Sequence, residues 1–66
     1  MQFTDFTKPE ADRLKEFCNF TDDEKRIFEL RCSGKSIVAV ALKMFMSERT
    51  VNRIIARIKR KIQKVI

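Results

Sequence analysis

Residues 47–66, SERTVNRIIARIKRKIQKVI, decide the fold. At ~1.5 Å rise per residue they make a helix roughly 30 Å long, with no Gly or Pro to interrupt it. On a helical wheel Val51, Ile54, Ile55, Ile58, Ile62, Val65 and Ile66 gather in one apolar stripe about 120° wide. Arg49, Asn52, Arg53, Ala56 and Arg60 lie opposite, with Arg57, Lys61 and Lys64 on one flank and Lys59 on the other. The Ser47 hydroxyl suits an N-cap, because it accepts one of the unpaired N–H groups of the first turn. Such a helix lies between a core and something negative.

The rest of the chain is consistent with that role. Its 66 residues make one domain near the lower limit for a self-supporting core, too small for a catalytic cleft between lobes. One Gly and one Pro argue against strands and tight turns, and 44% hydrophobic with 36% charged residues suits a folded helical domain. Cys18 and Cys32 have no histidine to help them, so no four-ligand metal site and no cofactor is expected. Free thiols fit a reducing cytoplasm better than a disulfide framework. There is no signal peptide and no apolar run of bilayer length. The charge is unevenly placed. Residues 1–33 carry eight acidic and six basic groups, whereas residues 34–66 carry one acid, Glu48, and nine bases. This asymmetry marks a polyanion-binding surface; the plainer alternative is a merely solvated basic face.

Upstream, residues 1–7 read as an irregular arm whose Phe3 and Phe6 need a place to pack, with Met1 as the natural start of an intact chain. Thr7-Lys8-Pro9-Glu10 has capping-box spacing with Pro in the first turn, and opens a helix to about Cys18 with Ala11, Leu14 and Phe17 on its apolar side. Thr21-Asp22-Asp23-Glu24 is a second capping box, with three acids at the positive end of the helix dipole. That helix presents Ile27, Phe28 and Leu30, and ends at Ser33-Gly34, where Gly supplies a left-handed residue. Gly34-Lys35-Ser36 imitates the tail of a phosphate-binding loop, but Glu29 stands where the motif needs its first glycine, so the match is discarded. Ser36 caps a short helix, Ile37 to about Met44, and Phe45-Met46 leads straight into the last one. Two helices joined this tightly, the second cationic, constitute a helix-turn-helix. The expected fold is all-α: a small four-helix domain, residues 1–66, with a helix-turn-helix and a long C-terminal recognition helix. Val51, Ile54, Ile55 and Ile58 should pack on Ile27, Phe28, Val40, Ala41 and Met44, with Cys32 in the core and Cys18 half-buried.

Residues Phe20 to Ile62 resemble the GerE/LuxR-type DNA-binding domain, and nearly as closely region 4 of bacterial sigma factors. Ser47-Glu48-Arg49-Thr50-Val51 matches the usual opening of the family's recognition helix letter for letter. Phe20-Thr21, Glu24, Ile27-Phe28, Gly34, Ser36, Val40-Ala41, Met44 and Met46 are of the right type, while Glu29-Leu30-Arg31 is more similar to sigma region 4. Phe45 stands where the family has a glycine, and Val38 and Leu42 make its usually polar outer face apolar. The LuxR-type domain continues into a fourth helix, whereas this sequence ends at Ile66 and has a helix before the motif, as sigma region 4 does.

The resemblance implies a sequence-specific transcriptional regulator that binds double-stranded DNA. Arg49, Asn52, Arg53 and Ala56 would face base edges, Arg reading guanine and Asn adenine. Ser47, Thr50, Arg57, Arg60 and Lys61 would hold phosphates and fix register. Catalysis is not expected, for want of a histidine, a nucleophile–base pair or a cleft. A cationic helix lying on a membrane is disfavoured, because two capping boxes and a tight turn specify a globule. The rival reading is a protein-interaction module on the same scaffold, binding RNA polymerase or another regulator through Val38, Leu42 and Phe45. A homodimer is also expected, through Ile62, Val65 and Ile66 rather than the Val38 patch, because the apolar stripe outruns a three-helix core.

Overall fold

The structure is a computed structural model that describes residues 2–66; Met1 of the expected arm lies outside them. Among the described residues a 3-10 turn, Phe3–Asp5, precedes four helices: α1 (Lys8–Phe17), α2 (Asp22–Cys32), α3 (Ile37–Met44) and α4 (Glu48–Val65). Among the described residues there is no strand.

Each helix starts where a hydroxyl can satisfy its first turn. Thr7 Oγ1 accepts from the Glu10 N–H while the Glu10 carboxylate accepts from the Thr7 N–H, and Thr21 and Glu24 repeat the pair. Ser36 caps α3 from the Ala39 N–H, and Ser47 caps α4 from the Thr50 N–H. The ends are as specific. Gly34 takes φ 90° after α2, with its N–H on the Arg31 carbonyl and the Lys35 N–H reaching back to Leu30. Phe45 occupies the matching place after α3, at φ 55° and ψ 44°, and the Met46 N–H returns to the Ala41 carbonyl. Glycine adopts that conformation freely; for an L side chain it costs about 1–2 kcal/mol. The tight turn therefore keeps its glycine geometry and strains a phenylalanine into it.

The helix-turn-helix packs α3 and α4 against α2. Ile27 and Phe28 of α2, Val40 of α3, and Val51, Ile58 and Ile62 of α4 are wholly buried, with Ala41, Ile54 and Ile55 nearly so. Phe28 is the hub: Phe3 meets it edge-on at 5.3 Å between centroids, Phe20 at 5.4 Å and Phe6 at 6.2 Å. The arm is thus a lid on α2. Helix α1 lies across α2, tied by Lys15, whose ammonium is 3.3 Å from both Asp12 and Glu29. Burial alone would lower the Lys15 pKa, but these two carboxylates raise it.

Four expectations about packing are corrected. Phe17 points to solvent, 63% exposed, and the next residue, Cys18, takes the core position instead. The helix ends at Phe17, so Cys18 leaves it in extended backbone and turns inward toward α4. Its thiol donates to the Lys61 carbonyl at 3.8 Å, and burial pushes its pKa up. Cys32, expected in the core, is only half-buried, so the two cysteines exchange environments; both are free thiols. Ile62, expected beyond the core, is fully buried. The segment ending in Cys18 covers that turn of α4, so the core runs one turn further than the three-helix motif.

Candidate nucleic-acid interface

The recognition helix is presented by its own amphipathicity. Val51, Ile54, Ile55 and Ile58 are held inside by α2 and α3, which turns Arg49, Asn52, Arg53, Ala56, Arg57 and Arg60 outward, all exposed. Arg49, Arg53, Ala56 and Arg60 follow one another along the outermost ridge at three- and four-residue spacing. Arg53 shares a shallow cleft with Thr50, Arg57 and Arg60 on one side of that ridge. Asn52 faces the other side, toward Arg31, Ile37 and Lys59. The four candidate base-contacting residues are therefore brought onto one open surface.

The candidate phosphate-holding residues divide. Ser47 and Thr50 stand exposed at the start of α4, their hydroxyls 3.0 Å apart and already engaged in the cap. The first N–H groups of α4 sit beside them, where the helix dipole favours an anion. Arg57 and Arg60 are exposed, and Lys64 extends the cationic surface. Lys61 does not belong with them. Its ammonium donates to the Glu24 carboxylate at 2.6 Å and to the Asn19 carbonyl at 2.8 Å, so its bonds are directed inward. Lys59 is also occupied, with its ammonium 5.9 Å from the centre of the Phe3 ring.

Glu24 has a role that its place in the cap does not show. As the third residue of the α2 cap, it accepts the Thr21 N–H on its carboxylate at 2.9 Å. The same carboxylate is buried, 1% exposed, and also takes the Lys61 ammonium, while Arg57 Nε stands 3.8 Å away. Burial would raise the pKa of this carboxyl, but Lys61, the Thr21 N–H and Arg57 hold it below the usual glutamate range. Glu24 thus ties the N-terminus of α2 to the back of the recognition helix and draws the Arg57 side chain to one side of it. Its sequence signal is slight, because Glu24 is one of three consecutive acids in the first turn of α2.

The candidate interface residues also divide. Ile62 is unavailable, because the chain buries it itself. Val65 and Ile66 are exposed and line a groove with Phe6, Leu14 and Phe17, rimmed by Glu10 and Arg13. Val38, Leu42 and Phe45 are exposed on α3 and the turn. Among the described residues no helix is long and apolar enough to cross a membrane.

No curated protein and no solved structure matches the chain. One family model does: bacterial regulatory proteins, luxR family, over residues 19–64. That span begins just before the Thr21 cap and contains α2, α3, the strained turn and all but the last residue of α4. With a helix-turn-helix built on this core and a cationic ridge on its second helix, the chain belongs to the luxR family of bacterial regulatory proteins, a helix-turn-helix DNA-binding family.

Proposed function

We propose that this protein is a sequence-specific regulator of transcription that reads double-stranded DNA in the cytoplasm with α4 and performs no chemistry on it. The observation that carries the reading is the exposed surface of Arg49, Asn52, Arg53 and Ala56, set on a buried face and continued by Arg57 and Arg60. A surface of this kind fits the major groove, with Asn52 and Arg53 on base edges and Ser47, Thr50, Arg57 and Arg60 on phosphates. The helix ahead of the motif follows the arrangement of sigma region 4.

A binding titration on duplexes selected from a random pool, at two salt concentrations, tests it. Asn52→Ala or Arg53→Ala should cost about 1–3 kcal/mol at the preferred site and relax the preference at one base pair. Arg60→Ala should weaken all duplexes alike and flatten the salt dependence by about one unit. A double variant at Asn52 and Arg53 that bound every duplex as the parent does would remove the groove assignment.

The reader is proposed to act as a homodimer, through the groove of Phe17, Leu14, Val65 and Ile66. Its rim carries one acid, Glu10, and one base, Arg13, so two copies related by a two-fold axis can set each acid against the other copy's base. Two half-sites then supply the affinity that one short helix lacks.

A further inference from the structure

The outer face of α3 carries three apolar side chains that the fold does not use. Val38, Leu42 and Phe45 follow one another at helical spacing and are 53%, 73% and 95% exposed. The opposite face of α3, Val40 and Ala41, is already committed to the core. Phe45 is the least expected of the three. It holds a left-handed backbone that glycine takes without strain, and its ring gains nothing from the fold in return. Neither the strain nor the exposed ring is explained by stability.

The surroundings of the patch limit what can cover it. Lys35 precedes the Ser36 cap and Lys43 follows Leu42, both exposed. Neither makes an ion pair among the described residues. Glu48 is the one acid in residues 34–66, so this half of the chain supplies almost no anion of its own.

We propose that this face docks a partner protein through an acidic amphipathic helix. The partner's apolar side chains would cover Val38, Leu42 and Phe45, and its Asp and Glu residues would meet Lys35 and Lys43. A second copy of the chain fits poorly, because it would set lysine against lysine; the self-complementary surface is the Phe17 groove. A lipid surface fits poorly too, since α3 is eight residues long and its other face is locked in the core. The inference does not rest on DNA reading by α4, and its test uses no DNA.

Short designed helices, with leucines at the matching spacing and rim positions varied between Glu and Lys, are displayed and panned against the full chain. The captured helices should carry Glu at the rim. A captured peptide, followed by fluorescence anisotropy, should bind less tightly as salt rises. It should lose roughly tenfold or more in affinity to Leu42→Ser, to Phe45→Gly and to a Lys35→Glu, Lys43→Glu double variant. Phe45→Gly should melt higher than the parent, so its lost binding is not unfolding. Three results overturn the proposal: capture no better than by a Val38→Ser, Leu42→Ser, Phe45→Gly triple variant; a preference for Lys at the rim; or patch-dependent binding to phosphatidylserine vesicles. Self-association abolished by Leu42→Ser overturns it as well, by assigning the face to a second copy.

Discussion

Glu24 Oε1 accepts the Thr21 N–H at 2.9 Å and the Lys61 ammonium at 2.6 Å. A buried carboxylate left with only the Thr21 N–H and the distant Arg57 would be costly, so removing Lys61 should hurt more than removing any other lysine of α4. The Lys61 side chain is itself 34% exposed, and water screens part of the pair. Lys61→Met is therefore expected to cost about 2 kcal/mol at neutral pH, read as a lower denaturation midpoint, while Lys64→Met costs little. The pH dependence follows from the sign of the Glu24 shift. Its folded pKa lies below the unfolded value, so the stabilisation is complete above about pH 4.3 and is lost as pH falls through the folded value. The stability gap between the parent and Glu24→Gln should thus be wide at pH 7 and close in acid. A gap that stayed constant would mean that the carboxylate charge plays no part.

Helix α1 and the arm supply Phe3, Ala11, Leu14 and Cys18 to the core, and they lie over Phe28 and the Ile62 turn of α4. Each large apolar side chain buried contributes about 1.5–3 kcal/mol, against a total stability of about 5–15 kcal/mol for a natural domain. Removing residues 1–19 should therefore leave a chain that melts broadly at a much lower temperature, followed by circular dichroism. A sharp melt at the parent temperature would show that α2–α4 suffice. The strained turn between α3 and α4 acts in the opposite direction. It holds α4 at the angle a helix-turn-helix needs, at the expense of an unfavourable residue that the rest of the core must offset.

The whole molecule has a +6 net charge, and its described residues form two separate exposed apolar surfaces. The groove of Phe17, Val65 and Ile66 is self-complementary in charge, whereas the Val38, Leu42 and Phe45 face is rimmed by lysine. They should behave differently in sedimentation at micromolar concentration. Phe17→Glu is expected to return a dimer to the 7.8 kDa monomer, and Leu42→Glu to leave it paired. A single 7.8 kDa species, even on a palindromic duplex, would remove the dimer. Ile62→Glu is not a usable probe, because it places a charge in the core.

The four helices and the family were legible in residues close together in the chain. Thr7 with Glu10, Thr21 with Glu24, Ser36 and Ser47 each mark a start within one turn, and the isoleucine period of α4 separates a buried face from a cationic one. Capping and periodicity act over a few residues, so they can be read from the order of residues. The fates of Phe17, Cys18, Lys61 and Ile62 could not be read so. Phe17 and Cys18 are neighbours, and which of them turns inward depends on where α1 ends against the last turns of α4. Lys61 looks like any other lysine of the cationic helix until α2 sets Glu24 beneath it, 37 residues earlier in the chain. Ile62 continues a stripe that outruns a three-helix core, and it is the end of α1 that covers it. These outcomes depend on packing between segments far apart in the chain, where burial rather than local preference selects the side chain.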